Sequence, residues 1–129
     1  MTKKKCKAIE SALLIILIFS LILNGCTRGN ILVLKDKMQI PQEKCKLLDK
    51  YVFIYETGCP HCARILPEIE KLEREKGLTF KRYNVAFEKD LRELQALGIL
   101  PQGVPCVIVN CKVFIGSGYK AEDFEKAIS

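Results

Sequence analysis

Tryptophan is absent from the 129 residues, and histidine occurs once, at position 61. A metal centre built from several imidazoles is therefore excluded. No apolar run reaches the ~20 residues of a membrane-spanning helix; the longest, residues 12–23, is broken at Ser20. Internal repeats, heptads, low-complexity tracts and a collagen-like glycine period are also missing, which excludes coiled coils, fibres and multidomain arrays. Acidic residues are outnumbered 15 to 21, for a net charge of +6. With 49% hydrophobic and 28% charged residues, the chain is too apolar to be disordered and too charged for a polytopic membrane protein. Its length suits one domain, or one small domain with an appendage. Cysteine is the residue in excess, with seven copies.

Lys3, Lys4, Lys5 and Lys7 precede the apolar run at 12–23. A basic region followed by a short apolar one predicts a signal peptide over residues 1–25. Leu23-Asn24-Gly25-Cys26 has a large aliphatic three places before a cysteine and a small residue just before it. This resembles the lipobox of bacterial lipoprotein precursors, and the resemblance implies that Cys26 becomes the lipidated N-terminus. The competing reading is an uncleaved signal anchor. Both readings export the chain and tether it to a membrane on the periplasmic or extracytoplasmic side. The signal region carries four lysines and one glutamate, so its removal halves the net charge to +3. No dense Lys/Arg stripe interleaved with aromatics remains, so nucleic acid is not an expected partner.

Residues 26–40 read as a tether with one strand at 31–34, and residues 41–129 as the working domain. Pro41 suits the first turn of a helix over 41–48. Residues 51–55 are a continuous apolar, aromatic and β-branched run, the pattern of a strand buried on both faces. After Thr57-Gly58, the spacing of Ile65, Leu66, Ile69 and Leu72 predicts a helix that Gly77 stops and Pro67 kinks. A strand at 79–85 and a helix through Leu91, Leu94 and Leu97, closed by Gly98, come next. Strands at 106–109 and 112–115 are joined at Asn110-Cys111, short enough for a hairpin. A helix at 121–128 ends the chain. The order β-α-β-α-β-β-α predicts an α/β fold with a mixed central sheet and helices on both faces.

Cys59-Pro60-His61-Cys62 lies where the first core strand feeds its helix. Cys59 falls at the helix N-cap, where unpaired N–H groups and the positive end of the dipole favour a thiolate, the nucleophile of disulfide exchange. Cys62 is near enough to close a disulfide and to resolve a mixed one. Pro60 suits the first helical turn. His61 is placed to donate to the Cys59 sulfur, stabilising the reduced form and making the disulfide more oxidising. Pro105, just before a strand, is a site for a cis bond or an ordinary trans turn.

In order along the chain, the Cys-X-X-Cys, Pro67, Gly98-Ile99, Val104-Pro105, Ile115-Gly116 and Tyr119-Lys120 resemble the thioredoxin fold over residues 45–129. The resemblance implies that Cys59 attacks and Cys62 resolves, with no cofactor beyond that redox-active disulfide. It further implies that Pro105 is cis and that Val104 and Pro105 line the substrate groove. Gly58 and Phe53 stand where thioredoxins carry a tryptophan and a buried acid. Cys-Pro-His-Cys is similar to DsbA-type periplasmic disulfide oxidases, although the 104 residues after the signal leave no room for their inserted helical domain. The glycine and asparagine contexts are similar to glutaredoxins, but Tyr119-Lys120 replace the acids that hold glutathione there. Small domains serving quinone-linked oxidases of the vitamin K epoxide reductase type are a further similar class.

Cys45, Cys106 and Cys111 remain. The resemblance puts Cys106 near the Cys59 sulfur, as an accessory thiol or as a buried apolar residue; a Cys45–Cys111 bridge is left open. Cys111 also occupies a turn position that favours glycine. The favoured function is an exported, membrane-tethered thiol–disulfide oxidoreductase acting on protein thiols. Its expected recycling partner is a quinone-linked oxidase or a transmembrane reductase. The alternative is a metal-binding or metal-delivery module using Cys59, Cys62 and Cys106. A complete structural zinc site is not expected, because the other cysteines do not repeat the Cys-X-X-Cys spacing.

Overall fold

The computed structural model describes residues 30–128, so the signal segment 1–25 and Cys26 lie outside the described residues. A compact unit runs from Ile31 to Ser129. Among the described residues no helix is long and apolar enough to cross a membrane. The elements are β1 (Leu32–Leu34), α1 (Gln42–Cys45), β2 (Tyr51–Tyr55), α2 (Pro60–Lys76) and β3 (Lys81–Asn84). They continue with α3 (Glu88–Ala96), β4 (Ile99–Pro101), β5 (Cys106–Val109), β6 (Lys112–Ile115) and α4 (Ala121–Ile128).

The fold is mixed α/β. Its main sheet has the order β3-β2-β5-β6, with β2 parallel to β3 and the other pairs antiparallel. Val52, Phe53 and Ile54 of β2 are all buried, as the unbroken apolar run predicts. Side chains alternate across the sheet and build two cores. Phe53, Val107, Val109 and Phe114 pack with Ile65, Ile69 and Leu72 of α2 and Phe124 of α4. Val52, Ile54, Cys106, Ile108 and Val113 face the other way, onto Leu34, Ile40, Leu94 and Ile99. Helices α2 and α4 thus cover one face, and α3 with the N-terminal segment covers the other.

The β5–β6 hairpin turns on Asn110 and Cys111, both left-handed at φ 50° and 66°, as a two-residue turn requires. Asn110 also donates through Nδ2 to Ala127 O at 2.7 Å and Ile128 O at 2.9 Å, occupying two carbonyls left open at the end of α4. Helix α2 stops at Gly77, which is left-handed at φ 63°. It runs through Pro67 as one helix.

The largest departure from the sequence reading concerns residues 31–40, which are folded into the unit rather than strung out as a tether. β1 pairs in parallel with β4, a strand that the three residues Ile99–Pro101 do not announce by any alternation. Farther on, Lys37 N–H donates to Val113 O, Val113 N–H to Met38 O, and Ile40 N–H to Cys111 O, all at 2.8–2.9 Å. The outer edge of β6, which would otherwise expose unpaired N–H and C=O groups, is thereby covered. Leu34 and Ile40 are fully buried beneath this strap. Helix α1 is one turn long and ends at Cys45, short of the expected 41–48.

Cys45 and Cys111 form a disulfide, with Cα atoms 5.7 Å apart and a sequence separation of 66. The strap is bolted by it to the hairpin turn, and the presence of cysteine at a left-handed position acquires a reason. A loop of that length gives a cross-link about 2–4 kcal/mol of stabilisation. Cys45→Ser, which leaves the turn itself untouched, is expected to lower the unfolding free energy by that amount, read as a lower guanidinium midpoint in chemical unfolding under oxidising conditions.

Candidate active site

Strand β2 delivers the chain through Glu56, Thr57 and Gly58 to the start of α2. Gly58 is left-handed at φ 80°, a conformation that a side chain would resist. Cys59 follows as the N-cap of α2, with φ −80° and ψ 112°. Its Sγ accepts the Cys62 N–H at 3.2 Å, satisfying one of the donors that a helix start leaves open. Pro60 occupies the first helical position, where its missing N–H costs nothing. Cys59 and Cys62 are a close pair with Cα atoms 5.2 Å apart, a span that a disulfide closes.

The two sulfurs are not equivalent. Cys59 is half-buried, while Cys62 is only 5% exposed. One can meet an incoming reactant and the other waits behind it. The helix dipole and the Cys62 N–H both favour a thiolate on Cys59 once the pair is reduced.

The same end of the sheet carries the other residues named from the sequence. Ile54 of β2 pairs with Cys106 of antiparallel β5, so Val104 and Pro105 lie at the end from which β2 leaves for Cys59. The Val104–Pro105 peptide is cis. Pro105 is buried and Val104 half-buried.

His61 departs from expectation. Its Nδ1 shares a 3.1 Å hydrogen bond with Ser117 Oγ in the loop after β6, and the Cys59 sulfur takes a backbone N–H instead. The exposed ring turns toward a hydroxyl brought in by a distant segment, which no local pattern could announce.

Of the two readings of Cys106, accessory thiol or buried apolar residue, its position agrees with the second. It is fully buried in the core on the sheet face opposite α2, among Val52, Ile54 and Ile108. Strand alternation decides this: Val107 faces α2, so Cys106 cannot. Among the described residues, no three or more Cys, His, Asp or Glu side chains gather where a metal ion could sit. The trio Cys59, Cys62 and Cys106 is therefore not assembled.

A cavity of about 450 Å³ opens beside the pair, with both Cys59 and Cys62 in its wall. Phe53, Tyr55 and Leu66 line it, and Phe87, 59% exposed, stands among its lining residues. Arg82 also borders it, but its guanidinium is paired with Glu73 at 2.6 Å, which leaves the space largely apolar.

Asn84 is a residue that sequence reasoning missed. It is 4% exposed, and its side chain ties two loops together. Its Oδ1 accepts from Thr57 N–H at 3.3 Å and Ala86 N–H at 3.1 Å, and its Nδ2 donates to Thr57 Oγ1 at 2.6 Å. Asp90 takes its backbone N–H at 2.8 Å. The segment that presents Cys59 is thereby fastened to the end of β3. An asparagine closing a strand directly after the apolar ring of Tyr83 is the one local signal that could have drawn attention to it.

Asn84→Ala strips partners from two N–H groups and a hydroxyl, and is expected to cost about 1–3 kcal/mol in urea unfolding. Cys106 yields a pH prediction. Burial first, and the Asp36 charge second, push its thiol up to about 12 from 9.0. The unfolded chain releases this proton at lower pH than the folded one does. The contribution to stability is therefore whole below about 9 and falls as pH rises toward 12. Between about pH 8 and about pH 10, thermal unfolding should show the parent losing roughly 1 kcal/mol more than Cys106→Ala.

Compared with protein-family models, with curated proteins and with solved structures, the chain gives no match.

Proposed function

We propose that this chain is a thiol–disulfide oxidoreductase with a thioredoxin-like fold, exported and held at a membrane, that exchanges disulfides with protein thiols. One observation carries the reading: a Cys-X-X-Cys pair at a helix start, with a half-buried first cysteine and a buried second one. Export and tethering rest on the sequence of residues 1–26 alone. Val104 and Pro105, at the same end of the sheet, offer a backbone wall for an extended client.

In the oxidising direction a client thiolate attacks Cys59 Sγ. The Cys59–Cys62 bond breaks, and Cys62 leaves as a thiolate that takes up a proton. A second client thiolate then attacks the client sulfur of the mixed disulfide and releases Cys59, whose thiolate the helix start stabilises. Reduction of a client runs the same steps backward, with Cys59 as attacking thiolate and Cys62 as resolving thiol. The cavity beside the pair can take an apolar side chain next to the client's cysteine. His61 and the exported address favour oxidation, with recycling by a membrane partner such as a quinone-linked oxidase. A transmembrane reductase would serve the opposite direction. A potential near about −120 mV marks an oxidase and one near about −270 mV a reductase.

Cys59→Ser should abolish dithiol exchange in an insulin-reduction or client-oxidation assay. Cys62→Ser should instead accumulate a mixed disulfide, visible as a shifted band without reductant. Exchange that survives in Cys59→Ser would refute this function.

A further inference from the structure

His61 sits in the first turn of α2 beside Cys59, yet its imidazole is engaged elsewhere. Nδ1 is 3.1 Å from Ser117 Oγ. The loop bearing Ser117 is fixed on both sides. Gly116 N–H donates to Pro105 O at 3.0 Å. Asp36, reaching over from the N-terminal strap, accepts from Ile115 N–H at 2.9 Å and from the Tyr119 hydroxyl at 2.7 Å. Tyr119 in turn packs edge-on against Phe114, with ring centroids 5.1 Å apart. The hydroxyl is thus a stationary partner, and the exposed ring, on two rotatable bonds, is the part that can move.

We propose that Ser117 is a positioning residue that holds the His61 imidazole away from Cys59 while the pair is a disulfide and yields it to the Cys59 sulfur on reduction. The inference rests on the reading of Cys59 and Cys62 as a redox couple. A disulfide sulfur is neutral and a weak acceptor, so in this state the hydroxyl is the better partner for the ring. A thiolate is charged, and hydrogen bonds to it are roughly twice as strong as those between neutral groups. Reduction therefore reverses the preference.

The balance is as follows. A client dithiol supplies two electrons to the Cys59–Cys62 bond, which breaks, and becomes a disulfide itself. Of its two protons, one goes to Cys62 Sγ and the other to the imidazole, leaving an imidazolium beside the Cys59 thiolate. The Ser117 bond then exists only in the disulfide state and stabilises that state. Asp36, by fixing the loop, supports it from outside the site.

The test is the equilibrium constant for reduction of the pair by glutathione, measured on the full chain. Ser117→Ala should raise that constant about fivefold, the worth of one net hydrogen bond. Ser117→Thr, which keeps the hydroxyl, should restore the parent value, and Asp36→Asn should move it in the same direction by less. In a His61→Ala background the effect of Ser117→Ala should vanish. An unchanged constant overturns the proposal. So does a fall, the result if Ser117 grips one ring nitrogen while the other serves the thiolate. An undiminished effect without His61 overturns it too. A parent chain with no reversible couple would remove the underlying function as well; a normal couple indifferent to Ser117 would remove this inference alone.

Discussion

Everything in the unit is arranged around β2. With β5 it is one of the two inner strands of the main sheet, each buried on both faces, and it runs parallel to β3 and antiparallel to β5. Five residues with no polar member in the middle three cannot rest at an edge or on a solvated face. Burying them forces helices onto both sides of the sheet. The direction of β2 then decides where chemistry can occur, because its C-terminal end opens directly onto Gly58 and Cys59. The end of β3, the start of β5 and the end of β6 converge on the same rim by sheet register. Asn84, Val104, Pro105 and Ser117 reach the neighbourhood of the pair for that reason, although up to 60 residues of chain separate them from it.

The second constraint is the free edge of β6. An unpaired edge strand invites association with other chains. Here residues 37–40 lie along it, and the Cys45–Cys111 bridge holds them there. The strap is more than a cover. Asp36 is part of it, and two hydrogen bonds draw its carboxylate into the loop that carries Ser117. Burial alone would raise the Asp36 carboxyl, but the Ile115 N–H and the Tyr119 hydroxyl outweigh it and hold the group below its ordinary value. Burial, and then the same contact with Asp36, pushes the Tyr119 phenol up to about 12. A segment far from the cysteine pair in sequence thus braces one wall of its surroundings.

The cysteines divide by environment. Cys59 and Cys62 share a helix start, where N–H groups and the dipole favour charge on sulfur. Cys45 and Cys111 serve as a bolt. Cys106 lies in apolar surroundings on the other sheet face, where a thiolate is strongly disfavoured. Proximity in sequence misleads here: Cys106 directly follows Pro105, yet strand alternation turns it away from the site that Pro105 borders.

Much of this was legible in the residues. Strands 51–55, 106–109 and 112–115 and the helix at 121–128 have the bounds their apolar patterns predict, and Gly77 stops α2. Local physics suffices there, because hydrophobic period, capping and turn chemistry all act within a few residues. The Cys-X-X-Cys at a strand-to-helix junction was equally plain. What only the tertiary structure decided involves partners distant in the chain. β4 is a strand because β1 lies beside it, and residues 31–40 are folded because β6 lacks a neighbour. Cys111 tolerates its left-handed turn opposite Cys45. His61 meets Ser117 because the rim of the sheet brings them together across 56 positions. Such pairings carry no local periodicity, and they become energetically meaningful only after the sheet has brought the two segments together.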